Sequence, residues 1–165
     1  MTGFALVVIA RALHILASVA WAGFVIVIAI AVVTTPYGED PVDARRIRRS
    51  VVSRGALIVG PSAIVSLVSG LYLFSVLHAA GHGITEVVLG VGASAAVLSF
   101  LVGAIGSGPA ERQLARLEQA KVTGAFTAAD AKIVAKLDRR VVVTARWTGA
   151  LLVVSALAMA VARYM

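Results

Sequence analysis

Four long apolar stretches dominate the hydrophobic pattern of the chain. They cover residues 12–33, 57–77, 87–106 and 147–162, and each is near the roughly 17 to 25 residues that a membrane-spanning helix needs. The composition agrees, because 60% of the residues are hydrophobic, 14% are charged and the mean hydropathy is +0.97, which lies outside the range of soluble globular domains. The sequence therefore predicts one all-α domain over residues 1–165, an integral membrane four-helix bundle.

A polar segment of about residues 109–145 separates the third and fourth apolar stretches. Thr127-Ala-Ala-Asp130 has the form of a capping box variant, and apolar residues at helical spacing follow it. The segment is therefore predicted to form a helical hairpin in which the third and fourth helices extend beyond the membrane as an antiparallel pair.

The distribution of basic residues predicts the topology. The formal net charge is +7, but the Lys and Arg residues concentrate in the first loop, at 45–54, and in the third, at 112–146. The loop from His78 to Glu86 has none. By the positive-inside rule both basic loops are cytoplasmic, so the bundle is N-out and C-out, in a bacterial inner membrane. The basic residues are thus assigned to the lipid bilayer and not to nucleic acid, and the absence of Cys excludes disulfides and thiolate metal sites.

Small residues recur at every fourth position of two predicted spans, a pattern that lets helices approach closely in lipid. The second and third helices are therefore predicted to pack as a tight hairpin, and the same faces could also serve a homodimer. These residues are Ser62, Ser66 and Gly70 in the second span, and Ala95, Ser99 and Gly103 in the third.

Ionisable side chains lie within the first apolar run. Arg11 and His14 are three residues apart and share a helix face, which Trp21 borders. An ionisable side chain inside a span costs roughly 2.5 to 3.5 kcal/mol on insertion scales, so a functional site is the default hypothesis. The topology places Arg11 near the outer headgroups and His14 one turn below them.

Polar side chains of other predicted spans reach a similar depth. His78 lies at the outer end of the second span, and Met159 and Arg163 lie at the outer end of the fourth. His82 lies in the glycine-rich loop that follows the second span. All three histidines are thus predicted on one side of the membrane.

Haem b is the leading interpretation of this set. The first-span histidine would be one axial ligand, and the second-span histidine, or with less support the methionine, would be the other. Two arginines would pair with the propionates, and the indole would pack against the macrocycle. Such a protein would act in electron transfer or as a haem-dependent oxidoreductase, with a quinone or another redox partner. The candidate haem-binding residues are His14, His78, Arg11, Trp21, Met159 and Arg163.

Two alternatives stay open. Copper would suit His14, His78 and His82, together with the methionine, because imidazole and thioether both bind it. Without any cofactor, the protein would be a structural or accessory membrane subunit in which His14 hydrogen-bonds a serine or a backbone carbonyl across a helix interface.

Several motifs resemble those of a known group. Arg11-Ala-Leu-His14 with Trp21-Ala-Gly23 is similar to the first helix of copper-resistance D (CopD)-like membrane proteins and HemJ-type protoporphyrinogen oxidases. Pro61, Ser69-Gly70-Leu71-Tyr72 and the final Met159-Ala-Val-Ala-Arg163-Tyr164 extend the similarity. The resemblance implies a four-helix bundle in which His14 matches a histidine that ligates haem b in the HemJ branch, whereas the CopD branch implies copper handling.

One departure from the HemJ pattern bears on the activity. HemJ-type enzymes also have an intramembrane lysine, whereas Lys121, Lys132 and Lys136 all fall in the predicted polar hairpin. This difference argues against protoporphyrinogen oxidation.

Overall fold

The computed structural model describes residues 2–34, 42–78, 81 and 83–165 of the chain. Within these residues the structure is all-helical, which confirms the predicted fold class. A short π-helical segment joins the third helix to the fourth. The elements are α1 (Thr2–Thr34), α2 (Val42–Leu77), α3 (Ile84–Val102), the π segment (Gly103–Ser107), α4 (Gly108–Val122) and α5 (Ala128–Ala162).

Four stretches of the described chain are long and apolar enough to cross a membrane: Gly3–Ile30, Leu57–Leu77, Ile84–Val122 and Ala128–Ala162. Large apolar side chains cover the outside of the bundle, and many are more than half exposed. Such a surface is unfavourable in water, at about 25 cal/mol per Å² of apolar area, but suits lipid tails. The protein is therefore a multi-pass membrane protein in contact with the bilayer.

The bundle core is built mainly from small residues around one indole. Trp21 is buried with Ala63, Ala96 and Leu152, which come from α2, α3 and α5. Trp21 also meets Phe100 edge to face, with ring centroids 6.4 Å apart. Small side chains let the helix backbones approach, and the indole fills the space that they leave.

The helices form two closely packed pairs. α2 packs mainly on α1, α3 packs mainly on α5, and α1 and α5 join the pairs, whereas α2 and α3 make few contacts. The predicted tight hairpin of the second and third helices is therefore wrong. Its small-residue stripes meet other partners: Gly70 lies against His14 of α1, and Ser99 donates to the Thr148 carbonyl of α5 over 3.1 Å. A stripe indicates that a close contact exists but not which helix makes it.

The polar segment after the third span forms two helices that pair side by side. Ala110 and Leu114 of α4 are buried against Leu137 of α5 in a separate small apolar cluster. The predicted capping box is present at the start of α5, where the Thr127 N–H donates to the Asp130 carboxylate over 2.8 Å. We call this part of the bundle the α4 end, and the opposite part, which carries His14 and His78, the His end.

Candidate functional site

His14 lies at the interface between α1 and α2 and is held by the α2 backbone. Its Nδ1 is 2.8 Å from the carbonyl oxygen of Ser66. A carbonyl only accepts hydrogen bonds, so Nδ1 carries the proton and donates it. The Ser69 hydroxyl is 3.5 Å from the same nitrogen and donates to the Val65 carbonyl. In the neutral form of the ring, this bond selects the tautomer with its proton on Nδ1, in which Nε2 carries the lone pair.

Gly70 makes room for the imidazole. A Cβ at this position would come within 2.8 Å of Cε1 of His14 and 3.1 Å of Nδ1, so with any other residue here the imidazole or the backbone would have to shift. One turn further along α1, the hydroxyls of Ser18 and Ser66 are 2.7 Å apart. His14, Ser18, Ser66 and Gly70 thus form a continuous contact, which we call the polar seam.

His78 lies apart from the polar seam, directly after the last residue of α2. Its Nδ1 is 3.5 Å from Oε1 of Glu86, with 33% of the His78 side chain and 20% of the Glu86 side chain exposed. Its ring also stacks on Phe74, with centroids 6.1 Å apart. The second carboxylate oxygen of Glu86 accepts the Gly83 N–H over 2.9 Å. The His78–Glu86 pair therefore connects the end of α2 with the start of α3.

The two histidines do not meet. His78 follows Gly70, which touches the His14 ring, by eight residues, and eight residues of helix span about 12 Å at 1.5 Å each. Both axial ligands of one haem iron must reach the same metal atom. The structure does not bring His14 and His78 together for that purpose.

The other predicted site residues are dispersed. Met159 lies at the α3–α5 interface, where its Cγ would be 3.5 Å from a Cβ at Gly92. Trp21 is buried in the core, seven residues from His14. The side chains of Arg11 and Arg163 are exposed at the His end. His82 lies outside the described residues. Within the described chain, no group of three or more His, Cys, Asp and Glu residues could hold a metal ion.

A cavity of about 420 Å³ opens at the α4 end, and the sequence did not predict it. All four spans contribute to its walls. Its lining residues include Trp21, Val25, Ala63, Phe100, Ala104 and Leu114. Several of the lining residues are small, and two of the helices in its walls, α2 and α3, make few contacts with each other.

Charged residues also line this cavity. They are Glu111 and Arg112 of α4 and Asp138 of α5. Glu111 is half-buried, whereas Arg112 is exposed. The sequence signal that could have singled out Glu111 is its position: it lies only five residues beyond the third apolar stretch and two residues after Pro109.

No protein-family model matches the chain, and neither the curated proteins nor the solved structures contain a match.

Proposed function

We propose that the protein binds haem b at the His end through Nε2 of His14 and takes part in electron transfer or a related redox step. The hydrogen bond from Nδ1 to the Ser66 carbonyl carries this proposal. A histidine that ligates a metal almost always donates its other ring N–H to a carbonyl or carboxylate, which fixes the tautomer and makes the free nitrogen more basic. His14 has this arrangement, and it lies in a span, where an ionisable group favours a functional role.

Arg11 supports the same assignment. It precedes His14 by three residues, lies on the same face of α1 and is exposed. Its guanidinium is suited to pair with a propionate carboxylate near the headgroups. A haem b held in this way would supply one-electron chemistry at its iron.

The proposal departs from the sequence-based hypothesis in its second ligand. Because His78 lies two turns or more beyond the residue that contacts His14, we assign the haem to His14 alone among the histidines that the structure describes. Met159 packs at a different helix interface from His14.

A second candidate is favoured by the completeness of the polar seam. The bond from His14 to the Ser66 carbonyl and the bond between the Ser18 and Ser66 hydroxyls join α1 to α2 without any cofactor. In this alternative the protein is a structural or accessory subunit, and His14 serves only to pair the helices. Copper handling gains no comparable support, because His14 and His78 lie apart.

The visible spectrum of the purified protein separates these candidates. We expect protein extracted from haem-replete cells in mild detergent to show a Soret band that shifts on reduction with dithionite. The His14→Ala variant should lose the band, and the matched His78→Ala variant should keep it. A colourless wild-type protein would leave the accessory-subunit alternative, and a normal spectrum in His14→Ala would move the ligand elsewhere. Copper analysis of the same samples tests the copper-handling alternative.

The orientation is proposed from the charge pattern: both termini lie outside and the α4–α5 hairpin lies in the cytoplasm. The chain has no cysteine, so single cysteines can be introduced without background labelling. We expect a membrane-impermeant maleimide to label Met165→Cys in intact spheroplasts and Thr123→Cys only after lysis. The reverse labelling pattern would invert the topology.

A further inference from the structure

The cavity at the α4 end has the properties of a small-molecule site. Its volume of about 420 Å³ falls in the roughly 300 to 1,000 Å³ range of ligand pockets, which are mostly apolar and have a few polar groups that orient the ligand. The apolar part is formed by Trp21 and Phe100 together with Val25. Aromatic side chains in edge-to-face contact offer both a flat face and a ring edge to an apolar ligand.

Glu111 supplies the polar part. It lines the cavity and is half-buried, and the structure gives it no hydrogen-bond or ion-pair partner among the described residues. A carboxylate that has lost part of its hydration gains from a cationic partner. Asp138 is a weaker candidate for this role, because it already has an interaction of its own within the protein. Arg112 is exposed, so its charge is more strongly screened by water.

The π segment also lines the cavity, through Gly103, Ala104 and Ser107. π-helical turns are rare and occur frequently at functional sites. Here the segment is held in place by two side chains: Ser107 donates to the Gly103 carbonyl over 3.0 Å, and Arg140 donates to the Ile105 carbonyl over 3.0 Å. The irregular turn is therefore fixed in a defined conformation beside the cavity.

We propose that this cavity binds a small amphipathic organic cation, with its apolar body against Trp21 and Phe100 and its positively charged group beside Glu111. Because α2 and α3 contact each other only sparsely, we expect a ligand that partitions into membranes to enter between these two helices. This site is separate from His14 and does not depend on haem b.

The test uses the full-length protein in nanodiscs of uncharged phosphatidylcholine, with radiolabelled tetraphenylphosphonium as the probe. We expect saturable binding that unlabelled tetraphenylphosphonium displaces. Triphenylphosphine oxide, a neutral compound of similar aromatic bulk, should not displace it. Equal displacement by the neutral compound, or the absence of saturable binding, would overturn the proposal.

Two pairs of variants locate the site. Glu111→Gln should weaken binding by about tenfold or more, because losing one member of a close charge pair is costly, and Glu118→Gln, an exposed change on the same helix, should not. Ala104 lines the cavity, so Ala104→Phe should narrow it and also weaken binding, whereas Ala93→Phe, at an exposed position outside the lining, should not. Unchanged affinity in Glu111→Gln would refute the role of the carboxylate. If that variant fails to fold, retained affinity in Ala104→Phe would refute the site.

Discussion

The polar seam at the His end and the cavity at the α4 end use polar residues in opposite ways. In the seam, Ser66 and His14 bond to each other's helices, and the two backbones lie close together. In the cavity, Glu111 is half-buried beside empty space, and the neighbouring helices α2 and α3 barely touch. A polar group in lipid that joins two helices stabilises the fold, whereas one left beside a cavity lowers stability and remains available for a ligand. The following changes test this contrast in order of expected effect.

Gly70→Leu should have the largest effect, because it fills the space that the imidazole occupies. A Cβ alone would come within 2.8 Å of the His14 ring, so a leucine side chain must displace the imidazole or push α1 away from α2. Overpacking of this kind costs about 1 to 3 kcal/mol. Thermal unfolding in detergent micelles, followed by circular dichroism, measures the loss.

Gly23→Leu is the matched control, since a Cβ at Gly23 meets nothing within 4 Å. Equal melting temperatures for Gly70→Leu and Gly23→Leu would show that the close approach at Gly70 does not hold α1 to α2.

Ser66→Ala should have a smaller effect. It removes the hydroxyl bond to Ser18 but keeps the backbone carbonyl that accepts from His14. Hydrogen bonds between membrane helices contribute about 0.6 kcal/mol on average, so the same unfolding assay should show a modest loss. The exposed Ser94→Ala is the control. If the Ser66 backbone carbonyl orients His14, the Ser66→Ala variant should keep its Soret band. Loss of the band would contradict this role of the carbonyl.

Glu111→Leu should raise the melting temperature. Leucine removes a half-buried carboxylate and adds apolar contact beside the cavity. The same variant should lose the affinity for tetraphenylphosphonium, so stability and binding change in opposite directions. A fall in melting temperature would mean that Glu111 stabilises the fold, and the contrast between the two ends would fail.

Glu86→Gln should have the smallest effect. The His78–Glu86 pair is partly exposed and its atoms are 3.5 Å apart, and exposed pairs contribute little. Glutamine also keeps an oxygen that can accept the Gly83 N–H. We expect a small decrease in melting temperature that vanishes in high salt, where exposed charges are screened. A decrease larger than that of Ser66→Ala would show that the loop, not the polar seam, limits stability at the His end.

The sequence predicted the class of the protein, its four spans and its helical hairpin. Those predictions rest on local properties, since the length of an apolar run is enough to identify a spanning helix. The Thr127 and Asp130 capping box was also readable, because its two residues are three positions apart on one turn. The sequence also allows His14 to bond a serine or a backbone carbonyl across a helix interface, and the structure gives the carbonyl of Ser66 as its partner.

Only the tertiary structure decided which helices pair and which polar groups meet. Ser66 and Ser99 belong to similar small-residue stripes, yet one meets α1 and the other meets α5. His14 and His78 share a predicted side of the membrane, but His78 lies eight residues beyond Gly70, the α2 residue that touches the His14 ring, and the structure does not bring the two rings together. The cavity beside Glu111 depends on where the packing of all four spans leaves space. Packing is a property of several helices at once, so no single stretch of sequence encodes it.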